Sequence, residues 1–91
     1  MLPLRWRAAA LDDLESLIGY VTDLDPAAAE RLRDRIESAV LPLSEHPYLY
    51  RVGRVAGTRE LVAHPNYIVV YRVQSDCIEI VNIVHARRQY P

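Results

Sequence analysis

The sequence predicts an α+β fold in which a helical hairpin packs on a small, mostly antiparallel sheet. Two observations carry this prediction. Apolar residues recur every three or four positions between residues 11 and 43, and they alternate with a period of two in the C-terminal third. A short alternating segment also precedes the first helix. The expected element order is β-α-α-β-β-β, in one domain over residues 1–91.

The first two elements are a strand and an amphipathic helix. Apolar positions alternate with polar or proline positions over residues 2–7, which is the periodicity of a strand. The spacing then changes to that of a helix with one apolar stripe. Its members are Leu11, Leu14, Ile18 and Val21.

A second helix begins within the segment DLDPAAAERL. Asp25 is predicted as its N-cap and Pro26 as its first residue, where the missing N–H costs nothing. Arg33 and Glu37 are four residues apart and can pair on the exposed side. Pro42 should kink or tighten the last turn. The apolar stripe of this helix comprises Ala29, Leu32, Ile36, Val40 and Leu43.

Three strands are predicted near 58–63, 67–74 and 77–85, joined by turns at AHPN and QSD. The strand over 67–74 is apolar on both faces, so we expect it to be central in the sheet. In the last strand, strict alternation puts Ile78, Ile80 and Val84 on one face and Glu79, Val81, Ile83 and His85 on the other.

The turn positions also predict which residues lie opposite one another. Arg59 is expected opposite Tyr71, and His85 opposite residues 65–67. Arg59 would then lie on the order of 13–17 Å from the far end of the sheet, at about 3.3 Å per residue. That distance is too large for one compact acid/base site. The polar residues expected at the far end are His64, Tyr67, His85, Arg87 and Arg88.

The basic residues are unusual because all eleven are arginine. A GC-rich coding sequence explains this equally well as a functional need for arginine, which suits phosphates, carboxylates and planar bases. Chemistry that needs a neutral lysine or a Schiff base is excluded. The single Cys77 excludes an internal disulfide and a multi-cysteine zinc site. We therefore expect no metal and no cofactor.

Among the polar residues, His85 is the strongest candidate for a general base, with Arg87 or Arg88 stabilising charge. The alternative is a histidine that only hydrogen-bonds a backbone group at the end of its strand. His64 and His46 each precede a proline, where structural or solvated histidines are common. From the residues alone, we predict that the arginine-lined sheet binds a polyanion or a protein rather than catalysing a reaction by itself.

The sequence contains no apolar run long enough to span a membrane. The N-terminal segment MLPLRWRAAALDD becomes acidic too early for a signal peptide. We therefore expect a cytoplasmic protein without a membrane partner.

The segment GTRELVAHPNYIVVYRV, followed by IEIVNIVHARRQYP, resembles the RelE/ParE superfamily of bacterial toxins. The resemblance covers the whole chain, because the first strand and both helices occupy their expected places. It implies the toxin of a type II toxin–antitoxin module, which arrests bacterial growth and is neutralised by a cognate antitoxin. Such antitoxins wrap a helix and an extended tail around the toxin, and promoter DNA is contacted only through the antitoxin.

The superfamily has two main targets. RelE-like members cut messenger RNA on the ribosome without a metal, whereas ParE-like members inhibit DNA gyrase. The chain departs from the RelE pattern because Ile68 follows Tyr67 where RelE has an arginine. For a nuclease, the resemblance implies that His85, Arg59 and Arg87 would be catalytic, with Tyr90 as a further C-terminal residue.

The ending IVHARRQYP resembles the ParE type more closely, so gyrase inhibition is the first expectation and messenger RNA cleavage the alternative. A third hypothesis is that the chain is an inactive partner-binding module within an antitoxin repressor complex. Whether the toxin inhibits gyrase or cleaves messenger RNA, we expect it to bind its target through a surface of arginine and aromatic residues. Its predicted members are Arg51, Arg54, Arg59, Tyr67, Arg72, Arg88 and Tyr90.

Overall fold

The computed structural model describes residues 1–87 and packs two helices on one face of a sheet that has five strands within this range. The predicted α+β class is confirmed, and one short strand is added. The strands lie in the order β1-β5-β4-β3-β2. The elements are β1 (Leu4–Trp6), α1 (Ala8–Leu24), α2 (Pro26–Val40), a 3₁₀ turn (Leu41–Ser44), β2 (Arg51–Val52), β3 (Arg59–His64), β4 (Tyr67–Val73) and β5 (Ile78–His85).

The link between the helices forms as the sequence predicts. Oδ1 of Asp25 accepts hydrogen bonds from the N–H groups of Ala27 and Ala28, each at 3.1 Å. Pro26 occupies the first position of α2. The N-cap therefore satisfies two donors that have no partner inside the helix. At the other end, Pro42 lies in the 3₁₀ turn that closes α2, so the predicted tightening is also confirmed.

The prediction that Arg33 pairs with Glu37 is wrong. Nη2 of Arg33 instead donates to both carboxylate oxygens of Glu15 on α1, at 2.5 and 3.1 Å. This hydrogen bond is the largest cause of the raised pKa of Arg33. Packing of α1 against α2 brings Glu15 within reach of Arg33, and Arg33 pairs with it rather than with Glu37 on the next turn of its own helix. Both side chains are solvent-accessible, so we expect this bridge to contribute less than about 1 kcal/mol.

The sheet has the predicted registers. Arg59 lies opposite Tyr71 in the β3–β4 pair, and Tyr67 lies opposite His85 in the β4–β5 pair. Strand β4 is central, as its two apolar faces indicate. Strand β1 joins β5 in parallel, with Leu4 opposite Ile78. The sheet is therefore antiparallel except at this edge.

A β-bulge in β5 overturns the expected alternation of its side chains. Val70 lies opposite Asn82, whereas the next residue, Tyr71, lies opposite Ile80, which leaves Val81 as the extra residue. Beyond the bulge the faces exchange. Ile83 packs in the core under the helices, and Val84 packs on the opposite face. His85 lies opposite Tyr67, which packs against the main core, so it shares the face of Ile83. The predicted faces of Ile83, Val84 and His85 are therefore wrong relative to Ile78 and Ile80, because strict alternation does not survive an inserted residue.

The main core lies between the helical hairpin and the sheet. Its completely buried members include Ile36 from α2, Tyr71 from β4 and Ile78 from β5. The hydroxyl of Tyr71 donates to the carbonyl of Pro47 at 2.8 Å, which ties the loop after α2 to the sheet. A smaller cluster of Ile68, Val70 and Val81 covers the other face. Within residues 1–87, no helix combines the length and hydropathy needed to cross a membrane.

Candidate functional site

An open groove of about 560 Å³ lies where α1 passes the end of β4 and β5. One side is formed by α1, and the other by the paired residues Tyr67 and His85. The groove therefore includes two residues that the sequence singled out. Its lining residues are Asp13, Ser16, Leu17, Tyr20, Tyr67, Ile83, Val84 and His85.

His85 is held in one orientation by the turn that follows it. Its Nδ1 accepts a hydrogen bond from the backbone N–H of Arg87 at 3.1 Å, and its ring meets Tyr67 edge-on at a centroid distance of 5.4 Å. Because Nδ1 is the acceptor, a neutral His85 carries its proton on Nε2. Nε2 is then a donor. For His85 to act as a general base, the bond to Arg87 must first break.

His64 repeats this arrangement on the neighbouring turn. Its Nδ1 accepts the N–H of Asn66 at 3.0 Å, and its ring lies 5.5 Å from that of Tyr67. Burial, with a smaller contribution from the charge of Arg35, lowers the pKa of His64. A neutral imidazole is required to accept this hydrogen bond. Through this hydrogen bond, His64 stabilises the turn between β3 and β4 beside the groove.

Arg59 lies at the other end of the sheet. Its Nη1 donates to the carbonyl of Tyr50 at 2.8 Å, and its guanidinium lies 4.9 Å from the centre of the Tyr48 ring. Arg59 lies opposite Tyr71 on β4, and His85 lies opposite Tyr67 on the same strand. These two β4 residues are four positions apart, or about 13 Å at about 3.3 Å per residue. His85 thus contacts the backbone N–H of Arg87, whereas Arg59 lies apart from both.

Three of the other predicted arginines lie on the face of the sheet that has no helices. Arg51 donates from Nε and Nη2 to Oε1 of Glu60, at 3.1 and 2.9 Å. Arg54 contacts Oε2 of the same carboxylate through its backbone N–H at 3.0 Å and its Nε at 3.5 Å. Glu60 is only 2% exposed, so the arginine contacts compensate the cost of burying its charge.

Arg72 shares this face by strand alternation and lies opposite Glu79. Its Nε is buried and has no hydrogen-bond partner within residues 1–87. The last two predicted target-binding residues, Arg88 and Tyr90, lie outside the described residues. In the described part of the chain, no group of three or more potential ligands is arranged to hold a metal ion.

Sequence reasoning missed two sets of exposed apolar residues. Tyr48, Leu49 and Val52 project from the loop and strand beside Arg59. The run PYLYRV, with its aromatic and apolar residues before a short strand, was the available signal. Tyr20 and Leu24 project from α1 outside its core stripe. Their helical spacing was visible in the sequence, but the neighbouring groove was not.

Comparison with known proteins identifies the family. The model of the ParE toxin of type II toxin–antitoxin systems, parDE, matches residues 4–90. Y4kP of Sinorhizobium fredii, named as a candidate toxin, is 43% identical over 89 residues, which cover 97% of this chain and 92% of the relative. Toxin RelE2 of Caulobacter vibrioides is 37% identical over 83 residues, and the match covers 91% of this chain and 93% of the relative.

Solved structures agree with this relationship. The chromosomal ParDE toxin–antitoxin system of P. aeruginosa contains a chain with a TM-score of 0.84 and 26% identity, covering 93% of this chain and 96% of its own. The E. coli DinJ–YafQ complex shares the fold, with a TM-score of 0.65, 10% identity and coverage of 92% and 91%. The chain therefore belongs to the ParE toxin family within the RelE/ParE superfamily, and it is the toxin of a type II toxin–antitoxin system with a cognate antitoxin as its partner.

Proposed function

We propose that this toxin arrests bacterial growth by inhibiting DNA gyrase. The supporting observation is the surface around Arg59, where the guanidinium lies against the exposed Tyr48 ring and two further apolar side chains, Leu49 and Val52, project into solvent. Tyrosine and arginine are the residues that most often dominate the binding energy of protein–protein interfaces. A protein target suits this surface.

The ion pairs that Arg51 and Arg54 form within the toxin also support a protein target. Arg51 and Arg54 both contact the buried carboxylate of Glu60, so part of their charge is neutralised within the toxin. A surface that binds an RNA backbone relies on arginine charges that replace counterions around the phosphates. An arginine pair anchored on a carboxylate provides less of that attraction. It still offers planar groups for a protein partner.

A supercoiling assay tests the proposal. Purified gyrase is incubated with stoichiometric toxin at low and moderate salt, and the product DNA is examined for loss of supercoils and for trapped cleavage. We expect inhibition by the wild-type toxin, and a loss of at least tenfold in potency for Tyr48→Ala and Arg59→Gln. Arg31→Gln is the matched control, because Arg31 is an exposed arginine on α2. Gyrase that works normally with excess folded toxin would rule out this target.

Messenger RNA cleavage on the ribosome is the second candidate, and the position of His85 favours it. Within residues 1–87, Nε2 of His85 has no hydrogen-bond partner, and the ring lines an open groove beside Tyr67. A proton donor in such a groove can act as a general acid. Translating ribosomes incubated with toxin, followed by mapping of messenger RNA ends, would reveal this activity. Wild-type cleavage that His85→Gln abolishes is the result expected of a nuclease.

A further inference from the structure

Arg59 is a half-buried arginine whose charge has no carboxylate partner within residues 1–87. Its contacts there are the carbonyl of Tyr50, which accepts from Nη1 at 2.8 Å, and the Tyr48 ring, whose centre lies 4.9 Å from the guanidinium. The two arginines that contact Glu60 do have an opposite charge. Removing a cation partly from water costs free energy that only such a charge compensates fully. Arg59 is therefore prepared for an anionic group from outside the chain.

One edge of the Arg59 guanidinium remains available. Nη1 is bound to the Tyr50 carbonyl, whereas Nε and Nη2 have no hydrogen-bond partner within residues 1–87. Both atoms reach solvent, because the buried side-chain nitrogen or oxygen that lacks a partner in this range is Nε of Arg72. Nε and Nη2 lie on one side of the planar group and match the two oxygens of a carboxylate. The free edge therefore fits a bidentate carboxylate.

The loop that carries Tyr48 is fixed on both sides of this residue. Tyr71 is completely buried and donates its hydroxyl to the carbonyl of Pro47 at 2.8 Å. Arg59 holds the carbonyl of Tyr50, three residues later in the loop. These two hydrogen bonds keep the Tyr48 ring against the guanidinium. An arginine that is ordered in advance loses less side-chain freedom when a partner binds.

A pocket of about 220 Å³ opens beside Arg59. Val52 lies directly opposite Arg59 in the β2–β3 pair and is 72% exposed. Val73 lies two positions beyond Tyr71, the residue opposite Arg59 on β4, so it shares the same face of the sheet. The walls are thus mostly apolar, with one guanidinium among them. The lining residues are Tyr48, Val52, Gly57, Thr58, Arg59 and Val73.

We propose that Arg59 binds an aspartate or glutamate of the target protein, and that an apolar side chain next to this residue enters the pocket between Tyr48 and Val52. The inference rests on the gyrase proposal and adds the chemistry that the toxin recognises. The carboxylate accepts from Nε and Nη2 and supplies the negative charge that this surface lacks. A neutral or basic residue at the same place would leave the guanidinium unpaired, so the contact selects an acidic site.

The sequence has no lysine, which permits a direct test. Arg59→Lys introduces a side-chain amine at the proposed contact and nowhere else. A carbodiimide joins an amine to a carboxylate without a spacer, so a cross-link forms only where the two groups meet. At a concentration where this variant inhibits purified gyrase, we expect mass spectrometry to identify a cross-link from position 59 to a gyrase aspartate or glutamate. Arg31→Lys is the matched control, because Arg31 is exposed on α2, and it should not form this product.

Exchange of the two charges gives a second measurement. Arg59→Glu should inhibit gyrase at least about tenfold less potently than the wild type. Replacing the cross-linked gyrase carboxylate with arginine, in a gyrase that still supercoils DNA, should restore inhibition by this variant. Circular dichroism must first show that each toxin variant is folded. Inhibition that the exchanged charges do not restore would overturn the proposal.

The same experiments separate this proposal from the one on which it rests. If the wild-type toxin inhibits gyrase but Arg59→Lys and Arg31→Lys cross-link equally, the gyrase target stands and the carboxylate contact is wrong. If the wild-type toxin leaves gyrase unaffected, both proposals fail. A cross-link from position 59 to the antitoxin, with none to gyrase, would assign Arg59 to the neutralising partner and would also overturn the proposal.

Discussion

Oδ2 of Asp13, on α1, accepts the backbone N–H of Ile83 in β5 at 2.9 Å. The same oxygen accepts the side-chain amide of Asn82 at 3.0 Å. These two donors follow Val81, the extra residue of the bulge, where the ladder between β4 and β5 changes register. Strand β1 ends opposite Ile80, so the carboxylate supplies an acceptor on the edge of β5 that β1 does not reach. It also fixes α1 to the strand that carries His85.

Replacing Asp13 with alanine should destabilise the toxin. Two donors at a partly buried site lose their acceptor, so the free energy of unfolding should fall by about 1–3 kcal/mol. Equilibrium unfolding in urea gives this quantity. Asp12→Ala is the matched control, because its exposed carboxylate contacts no donor within residues 1–87, and its change should stay within about 0.5 kcal/mol. Equal effects of the two substitutions would contradict a structural role for the Asp13 contacts.

Two glycines should respond to alanine in opposite directions. Gly19 lies inside α1, where an added Cβ meets no atom within 4 Å, so Gly19→Ala should stabilise the fold by up to about 1 kcal/mol. Gly53 follows β2, where an added Cβ would collide with the hydroxyl and backbone of Thr58. Gly53→Ala should cost about 1–3 kcal/mol. Thermal unfolding of both variants checks the pair, and a stabilised Gly53→Ala protein would refute the predicted collision.

The stability of the toxin should depend on pH through His64. Its pKa in the folded state is lowered, chiefly by burial, below the ordinary value of about 6.5 that it regains on unfolding. Between these two values the unfolded state binds more protons, so the free energy of unfolding rises with pH. The contribution of neutral His64 is complete above about pH 6.5 and is lost as the pH falls toward the folded pKa. Its slope cannot exceed about 1.4 kcal/mol per pH unit.

His64→Asn provides the test of this pH dependence. Asparagine can still accept the N–H two residues ahead in a turn, but it does not titrate. Urea unfolding between pH 5 and pH 8 should therefore show a smaller loss of stability at acidic pH for this variant than for the wild type. His46→Asn is the control for replacing an exposed histidine by asparagine. Parallel profiles for wild type and His64→Asn would show that another group is responsible.

His85→Ala should separate the two proposed targets in cells. In a gyrase inhibitor that binds through Arg59 and Tyr48, removing the imidazole at the opposite end of the sheet should leave growth arrest largely intact. In a nuclease it should abolish arrest. Growth after induced expression without antitoxin gives the answer, with soluble toxin measured in the same cultures. A soluble His85→Ala protein that no longer arrests growth would contradict the gyrase proposal.

The registers of the two hairpins could be predicted because turn chemistry and alternation act locally. The AHPN turn fixes Arg59 opposite Tyr71, and the QSD turn brings His85 opposite Tyr67. These registers already implied that Arg59 and His85 lie apart. The sequence therefore determined the relative positions of the main candidate residues along the sheet.

Features that depend on packing between distant segments could not be predicted. Arg33 binds Glu15 because the hairpin brings two helices together, and no local rule ranks that contact above Glu37. The bulge in β5 lies beside a contact with α1, seventy residues earlier in the chain for the Asp13–Ile83 hydrogen bond. A polar Asn82 within an apolar strand was the only local sign of it. The groove likewise requires α1 and β5 to be placed together.

The parallel pairing of β1 with β5 joins the first strand of the chain to the last. The backbone N–H of Ile78 donates to the carbonyl of Pro3, and that of Arg7 donates to the carbonyl of Ile80. Contacts between residues so distant in sequence are formed slowly, since a long loop must close first. During synthesis, β1 has no partner until β5 has been made. A ribosome that stops before this point releases a chain in which β1 and one edge of β4 have no partner strand, so premature termination should yield unfolded fragments rather than a smaller folded toxin.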